Sequence, residues 1–155
     1  MDEPFSEEEA MLVGFKVLKA LIHCHELNIS HMDIKPENIM YCRFGDVKLI
    51  DFGLSRQNNK SSKSSNVGTL YFMAPEVING DFSLQCDIWS LGVVLFLLLT
   101  DSYPFYGEDK EETLALIKEG KFSMSGNECR NLSANCKDIL RKMIIVDKSK
   151  RITAK

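Results

Sequence analysis

The five cysteines, Cys24, Cys42, Cys86, Cys129 and Cys136, form no C-x-x-C pair, lie far apart and are odd in number. That argues against a disulfide framework or a zinc site and predicts reduced thiols in a cytosolic (cytoplasmic) setting. Long hydrophobic runs are missing as well. The longest apolar stretch, Leu91 to Leu99, has about half the length a bilayer span requires, so it reads as a core helix. No long block of one charge sign occurs and the net charge is −3, which gives no reason to expect nucleic acid or an anionic membrane as a partner. The opening MDEPFSEEEA is acidic, lacks a secretory h-region, and carries Asp2 where myristoylation requires glycine. No internal repeat is visible, and 155 residues with 45% hydrophobic side chains suffice for one domain with a sizeable core.

Ser6 and Glu9 form an S-x-x-E capping box, followed at helical spacing by Met11, Phe15, Leu18 and Ile22, which predicts a helix of about five turns. NIMYC and VKLI flank a short RFGD connector and read as a β-hairpin. Paired strands sit about 4.8 Å apart, so Asn38 and Asp51, at the outer ends of this hairpin, should meet. Residues 57–68, QNNKSSKSSNVG, are polar and serine-rich and predict a loop. Ser83 can cap a helix to about Thr100 that is apolar on nearly all sides and so should be wrapped by other elements. Its one internal charge, Asp87, would be buried and must be tying down hydrogen-bond donors. Two further helices are predicted, Asp109 to Glu119 with Gly120 as the stop, and Ser133 to about Val146.

Asp33, Lys35, Asn38 and Asp51 thus bring two carboxylates, an amide oxygen and an ammonium to one region. Carboxylate and amide oxygens are hard ligands suited to Mg²⁺, which commonly takes one or two protein groups plus phosphate oxygens and water. Lys35 places positive charge near a transferring phosphoryl group, and Asp33 can accept the proton of an incoming hydroxyl. The set suits phosphoryl transfer.

HMDIKPEN resembles the protein kinase catalytic-loop signature H-R-D-L-x-x-x-N, and DFG at 51–53 and APE at 74–76 follow in the family order. The resemblance implies a partial protein kinase domain over residues 1–155: the larger, C-terminal lobe, of α+β class, mainly α-helical with a small β-hairpin, the N-terminal lobe being absent. Catalytic loop 31–38 and activation segment 51–76 follow from the same match. It implies Asp33 as catalytic base, Lys35 as a γ-phosphate contact, and Asn38 and Asp51 as Mg²⁺ ligands, with ATP as the nucleotide. Met40 matches the floor of the adenine site. Glu37 goes with the nucleotide-side residues of this loop, and it also lies where basophilic members bind a substrate arginine; an exposed glutamate without such a task is the plain alternative. Thr69 matches the threonine that contacts the catalytic aspartate and lysine, and with the KPEN form of the loop it implies serine/threonine rather than tyrosine substrates. His31 and Phe52 match a stacked pair, Asp87 the aspartate that holds the catalytic-loop backbone, and Glu76 with Arg151 a buried ion pair. CDIWSLG, YPF and DKSKRITA look most like the calcium-dependent and calmodulin-dependent kinase group.

The sequence departs from that pattern at Met32, where most kinases carry an arginine that pairs with a phosphate on the activation loop. Methionine cannot do this, so control by loop phosphorylation is less expected, although Arg56 could supply a cation and Ser61, Ser62, Ser64 and Ser65 could accept phosphate. No G-x-G-x-x-G, no V-A-I-K lysine and no D-x-D-x-D-G calcium loop occurs. The expected partners are therefore Ser/Thr-bearing protein substrates, a missing N-terminal lobe, and a calcium-sensor region outside this chain. The isolated chain is expected to show little activity, because phosphoryl transfer depends on positioning and water exclusion. The competing reading is a kinase-like binding or scaffold module without catalysis.

Overall fold

The computed structural model describes residues 4–42, 45–57 and 69–155. Among them are five α-helices and four short strands, a mainly helical arrangement as expected. Helix α1 (Glu7–Glu26) starts at Ser6, whose hydroxyl accepts from the Glu9 N–H while the Glu9 carboxylate reaches back to the Ser6 N–H, the reciprocal capping box. The predicted helix of about five turns is present over these 20 residues. Ala10, Val13, Gly14, Val17 and Leu21 face inward, whereas Phe15 is 53% exposed. Met11 and Leu18 pack partly buried against the core beside that face. The helix lies close against α3 (Gln85–Thr100): a Cβ on Gly14 would stand 3.1 Å from the Leu95 side chain.

Helix α3 (Gln85–Thr100) is the spine. Ile88, Trp89, Leu91, Val93 and Val94 are fully buried, and the Trp89 ring stacks on Phe105 with centroids 5.4 Å apart. The helix begins two residues later than the predicted cap, with Leu84 at the N-cap position in a helical conformation. The Ser83 hydroxyl, expected to cap it, is buried and finds no partner among the described residues. Helix α4 (Lys110–Glu119) is capped by Asp109, which accepts from the Glu112 N–H at 2.8 Å, and stops at Gly120 with φ 67°, a left-handed conformation that glycine adopts without steric cost. Helix α5 (Ala134–Met143) is capped by Ser133 and ends before the predicted Val146. A short helix α2 (Pro75–Ile78) lies between the 3₁₀ turn Leu70–Phe72 and α3.

Strand β1 (Ile29–Ser30) pairs antiparallel with β4 (Arg56–Gln57), and β2 (Ile39–Tyr41) pairs antiparallel with β3 (Val47–Leu49), aligning Ile39 with Leu49. The second pair is the predicted hairpin; part of its RFGD connector, residues 43–44, lies outside the described residues. So do residues 58–68, with the candidate phosphate acceptors Ser61, Ser62, Ser64 and Ser65. All five cysteines are free. Among the described residues no helix is long and apolar enough to cross a membrane.

Candidate active site

Residues 31–38 leave β1 and run along the base of α3. Asp87, 0% exposed, accepts the backbone N–H groups of His31 and Met32, each at 2.9 Å, and lies 2.9 Å from His25 Nε2 at the end of α1. One carboxylate on the spine helix therefore holds the loop and the end of α1 together, which is the tying role expected of a buried charge. Sequence reasoning missed His25; α1 ends HCHE, and spacing alone could not say which of His23 and His25 turns inward. Asp87→Asn keeps the size but supplies only one acceptor oxygen, leaving a buried N–H facing an amide NH₂. We expect a loss of about 1–3 kcal/mol of stability, read from urea unfolding; an unchanged midpoint would remove Asp87 from this role.

His31 carries the connection to the hairpin. Its Nδ1 accepts from the Asp33 N–H at 3.3 Å, which leaves Nε2 to donate to the Ile50 carbonyl at 3.0 Å. Its ring meets Phe52 edge-on with centroids 4.7 Å apart, so the expected pair is in contact, T-shaped rather than parallel. Met32 and Asp51 both adopt left-handed backbone conformations, with φ of 72° and 61°. Such conformations are sparsely populated for residues with a Cβ and tend to collect at functional sites.

Four of the predicted residues form one hydrogen-bonded cluster. Lys35 Nζ lies 2.8 Å from Asp33 Oδ2 and donates to Thr69 Oγ1 at 3.3 Å. The 3₁₀ turn Pro36–Asn38 swings Asn38 back so that its Nδ2 donates to the Asp33 carbonyl at 2.8 Å and to Asp33 Oδ2 at 3.0 Å. Those two bonds fix the amide's orientation and leave its Oδ1 for another ligand. The Lys35 ammonium is held above its usual pKa chiefly by the hydrogen bond to Asp33; burial opposes this, and the charges of Asp33, Glu37 and Asp51 add to it. Lys35 thus remains a cation among carboxylates.

Asp51 reaches the same place by the hairpin. The Ile50 N–H donates to the Asn38 carbonyl at 2.9 Å, extending the β2–β3 pairing and setting Asp51 just beyond it, and Asp51 Oδ1 accepts from the Gly53 N–H at 3.1 Å. Glu37 and Met40 are not drawn into the cluster. Glu37 is exposed, and Met40, 49% exposed, stands on β2 two residues past Asn38. Met32 turns inward, its sulfur 3.4 Å from Cys86 Sγ, and burial pushes the Cys86 thiol well above the usual range. Arg56 lies over the Phe82 ring, 4.0 Å from its centroid.

The segment bearing Thr69 is anchored from below. Ser90 Oγ on α3 donates to the Phe72 carbonyl at 2.7 Å, and Glu76 in α2 meets Arg151 in a bidentate pair at 2.6 and 2.9 Å. The expected ion pair is present and buried.

A mainly helical unit with a D-x-K-x-x-N loop braced by an aspartate on its central helix is the arrangement of a protein kinase domain. A family profile described as protein kinase domain matches residues 1–155, and the chain belongs to that family. It is 36% identical over 155 residues to calcium-dependent protein kinase 3 of Plasmodium berghei (strain Anka), covering 97% of this chain and 28% of that protein. Calcium-dependent protein kinase 5 of Plasmodium falciparum (isolate 3D7) is 36% identical over 152 residues, covering 96% of this chain and 27% of that protein. Calcium-dependent protein kinase 4 of Plasmodium berghei (strain Anka) is 35% identical over 156 residues, with 97% and 30% covered. The chain therefore spans less than a third of the length of these relatives.

Proposed function

We propose that this chain is the C-terminal catalytic lobe of a cytoplasmic serine/threonine protein kinase, carrying the residues that transfer the ATP γ-phosphate to Ser and Thr hydroxyls of proteins. The observation that carries this reading is the single cluster of Asp33, Lys35, Asn38 and Thr69, with Asp51 set beside it by the hairpin. Asp33 accepts the proton of the incoming hydroxyl. Lys35, kept charged by its neighbours, sits where it can offset charge on the transferred group while remaining bonded to Asp33 and Thr69. Thr69 ties the catalytic loop to the segment that receives substrate, and Met40 forms part of the nucleotide-facing floor.

The donor set fits Mg²⁺. Among the described residues no group of three or more His, Cys, Asp or Glu could cage a metal, whereas Asn38 and Asp51 offer the one or two hard oxygens that Mg²⁺ takes alongside phosphate and water. Bound there, Mg²⁺ would supply charge neutralisation at the phosphates. Calcium dependence, the property in the relatives' names, would belong to a sensor region outside these 155 residues, since the chain holds no calcium-loop signature.

The test is phosphate transfer from radiolabelled ATP with Mg²⁺ to peptides bearing Ser, Thr or Tyr, measured with this chain alone and with it joined to an ATP-covering lobe. The expected result is label on Ser and Thr only, and only in the joined form, because exposed Met40 and Phe52 leave the nucleotide side open in the isolated chain. No transfer by the joined form would hand the site to a non-catalytic binding module.

A further inference from the structure

Helix α1 turns an apolar stripe to solvent on the side away from the core. Leu12 is 52% and Phe15 53% exposed, while Ala10, Val13, Gly14, Val17 and Leu21 fill the buried side. Glu8 and Lys19, both exposed, flank the two apolar residues. At about 100° of turn per residue, Glu8, Leu12, Phe15 and Lys19 fall within ~60° of arc, and that arc lies opposite the buried one. Their 4-3-4 spacing is that of the seam along which two helices pack. Such a stripe fits a neighbouring helix, and two observations say which.

The flanking charges have no use within the chain. The other acids of the first turn are engaged: Glu7 accepts from Ser133 Oγ at 2.8 Å, and Glu9 closes the capping box. The Glu8 carboxylate makes no hydrogen bond or ion pair among the described residues, and the Lys19 ammonium lies over the Phe15 ring, 4.6 Å from its centroid, without a carboxylate partner. A rise of about 1.5 Å per residue sets Glu8 and Lys19 ~16 Å apart along the axis, too far to meet each other.

The stripe is also self-complementary, and in one orientation only. In an antiparallel pair of α1 helices with a twofold axis between Leu12 and Phe15, Leu12 of each copy meets Phe15 of the other, and Glu8 of each meets Lys19 of the other. A parallel pair would set Glu8 on Glu8 and Lys19 on Lys19, which repulsion between like charges opposes.

We propose that the outer face of α1 is a self-association surface whose occupant is α1 of a second copy of this chain. The two helices run antiparallel, sealed at the centre by Leu12 and Phe15 and held in register by two Glu8–Lys19 pairs. The contact is isologous, so it closes at a dimer and does not propagate. Four side chains from each copy make a small contact, which places the complex in the weak, reversible class. Neither the clustered residues nor ATP takes part, so the pairing stands apart from the kinase reading.

Sedimentation equilibrium of the 155-residue chain, run from about 10 µM to about 1 mM, tests this. The mass should rise from 17.6 kDa towards twice that value. Replacing Leu12 and Phe15 together by alanine should hold the chain as a monomer. Glu8→Lys and Lys19→Glu, each alone, should weaken self-association about tenfold, since each turns two attractions into two repulsions. Mixed one to one, these two charge variants should associate with each other, because every facing pair is again opposite in sign. A chain carrying both changes should self-associate for the same reason. All four positions are exposed, so the variants should fold, and circular dichroism checks this. A non-specific apolar contact would respond to Leu12 and Phe15 but not to the arrangement of charge. A monomer at every concentration, association that survives the loss of Leu12 and Phe15, or charge variants that do not recover on mixing would each overturn the pair; the first would leave the face to an occupant of another sequence.

Discussion

Asp33→Asn is expected to lower phosphoryl transfer by about 10²–10⁴-fold in a form joined to an ATP-covering lobe, with the fold and peptide binding retained. The geometry makes the change close to isosteric. Asparagine at this position can still accept from Asn38 Nδ2, the bond now made at 3.0 Å to Asp33 Oδ2, and the Asp33 backbone carbonyl keeps its own bond from that amide at 2.8 Å. What disappears is the basic oxygen and its charge. The Lys35 ammonium, now 2.8 Å from a carboxylate oxygen, loses its nearest counter-charge while its bond to Thr69 remains available. Since the loss falls on proton acceptance rather than on binding, kcat should carry it while KM for the peptide stays near the parent value. Steady-state kinetics on the parent and variant decide the matter. A fall of less than about tenfold would mean that the proton leaves by another route and that Asp33 mainly positions Lys35 and Asn38.

How the sequence reached this site, and where it fell short, follows from the range of the interactions involved. The Ser6–Glu9 box, the Asp109 and Ser133 caps and the Gly120 stop are bonds within a few residues of chain, and each is where local chemistry placed it. The hairpin was legible because apolar strands flank a turn, and once formed it sets Asp51 beside Asn38 without further information. Asp87 was legible from its cost alone: a carboxylate inside an apolar helix demands donors. By contrast, which residues of α1 lie deepest depends on how closely α3 approaches, so Gly14 is buried while Phe15 in the helical repeat is half exposed. Ser83 is a good cap by type, but the chain turns into α3 through Leu84 and leaves the hydroxyl unused. The His25–Asp87 contact joins segments tens of residues apart, and no local pattern announces it. The roles proposed for the clustered residues follow from side-chain chemistry and the family resemblance, and the structure shows their contacts.

The same distinction between local and long-range contacts makes the Glu76–Arg151 pair the place where stability should be most vulnerable. Arg151 has a fully buried side chain, two bonds to Glu76 at 2.6 and 2.9 Å, and further bonds to the carbonyls of Gln85 at 2.7 Å and Ile145 at 2.9 Å. Its guanidinium also lies 5.2 Å from the Trp89 ring centroid. Glu76→Leu strands this cation without a counter-charge, and the cost of an uncompensated buried charge is about 3–5 kcal/mol. Against a typical domain stability of about 5–15 kcal/mol that is a large share. Arg151→Met should cost a comparable amount by stranding the carboxylate. Combining Arg151→Met with Glu76→Leu should recover much of the loss, because two apolar groups also remove the desolvation that the pair now offsets. Chemical denaturation of the four proteins tests this: additive single losses in the double variant would show that the two side chains act separately. The pair also joins α2, next in sequence after the Thr69 segment, to the end of the chain. Glu76→Leu should therefore weaken activity of the joined form even at temperatures where the variant stays folded, by letting Thr69 drift from Lys35; full activity in a destabilised but folded variant would confine the pair to stability.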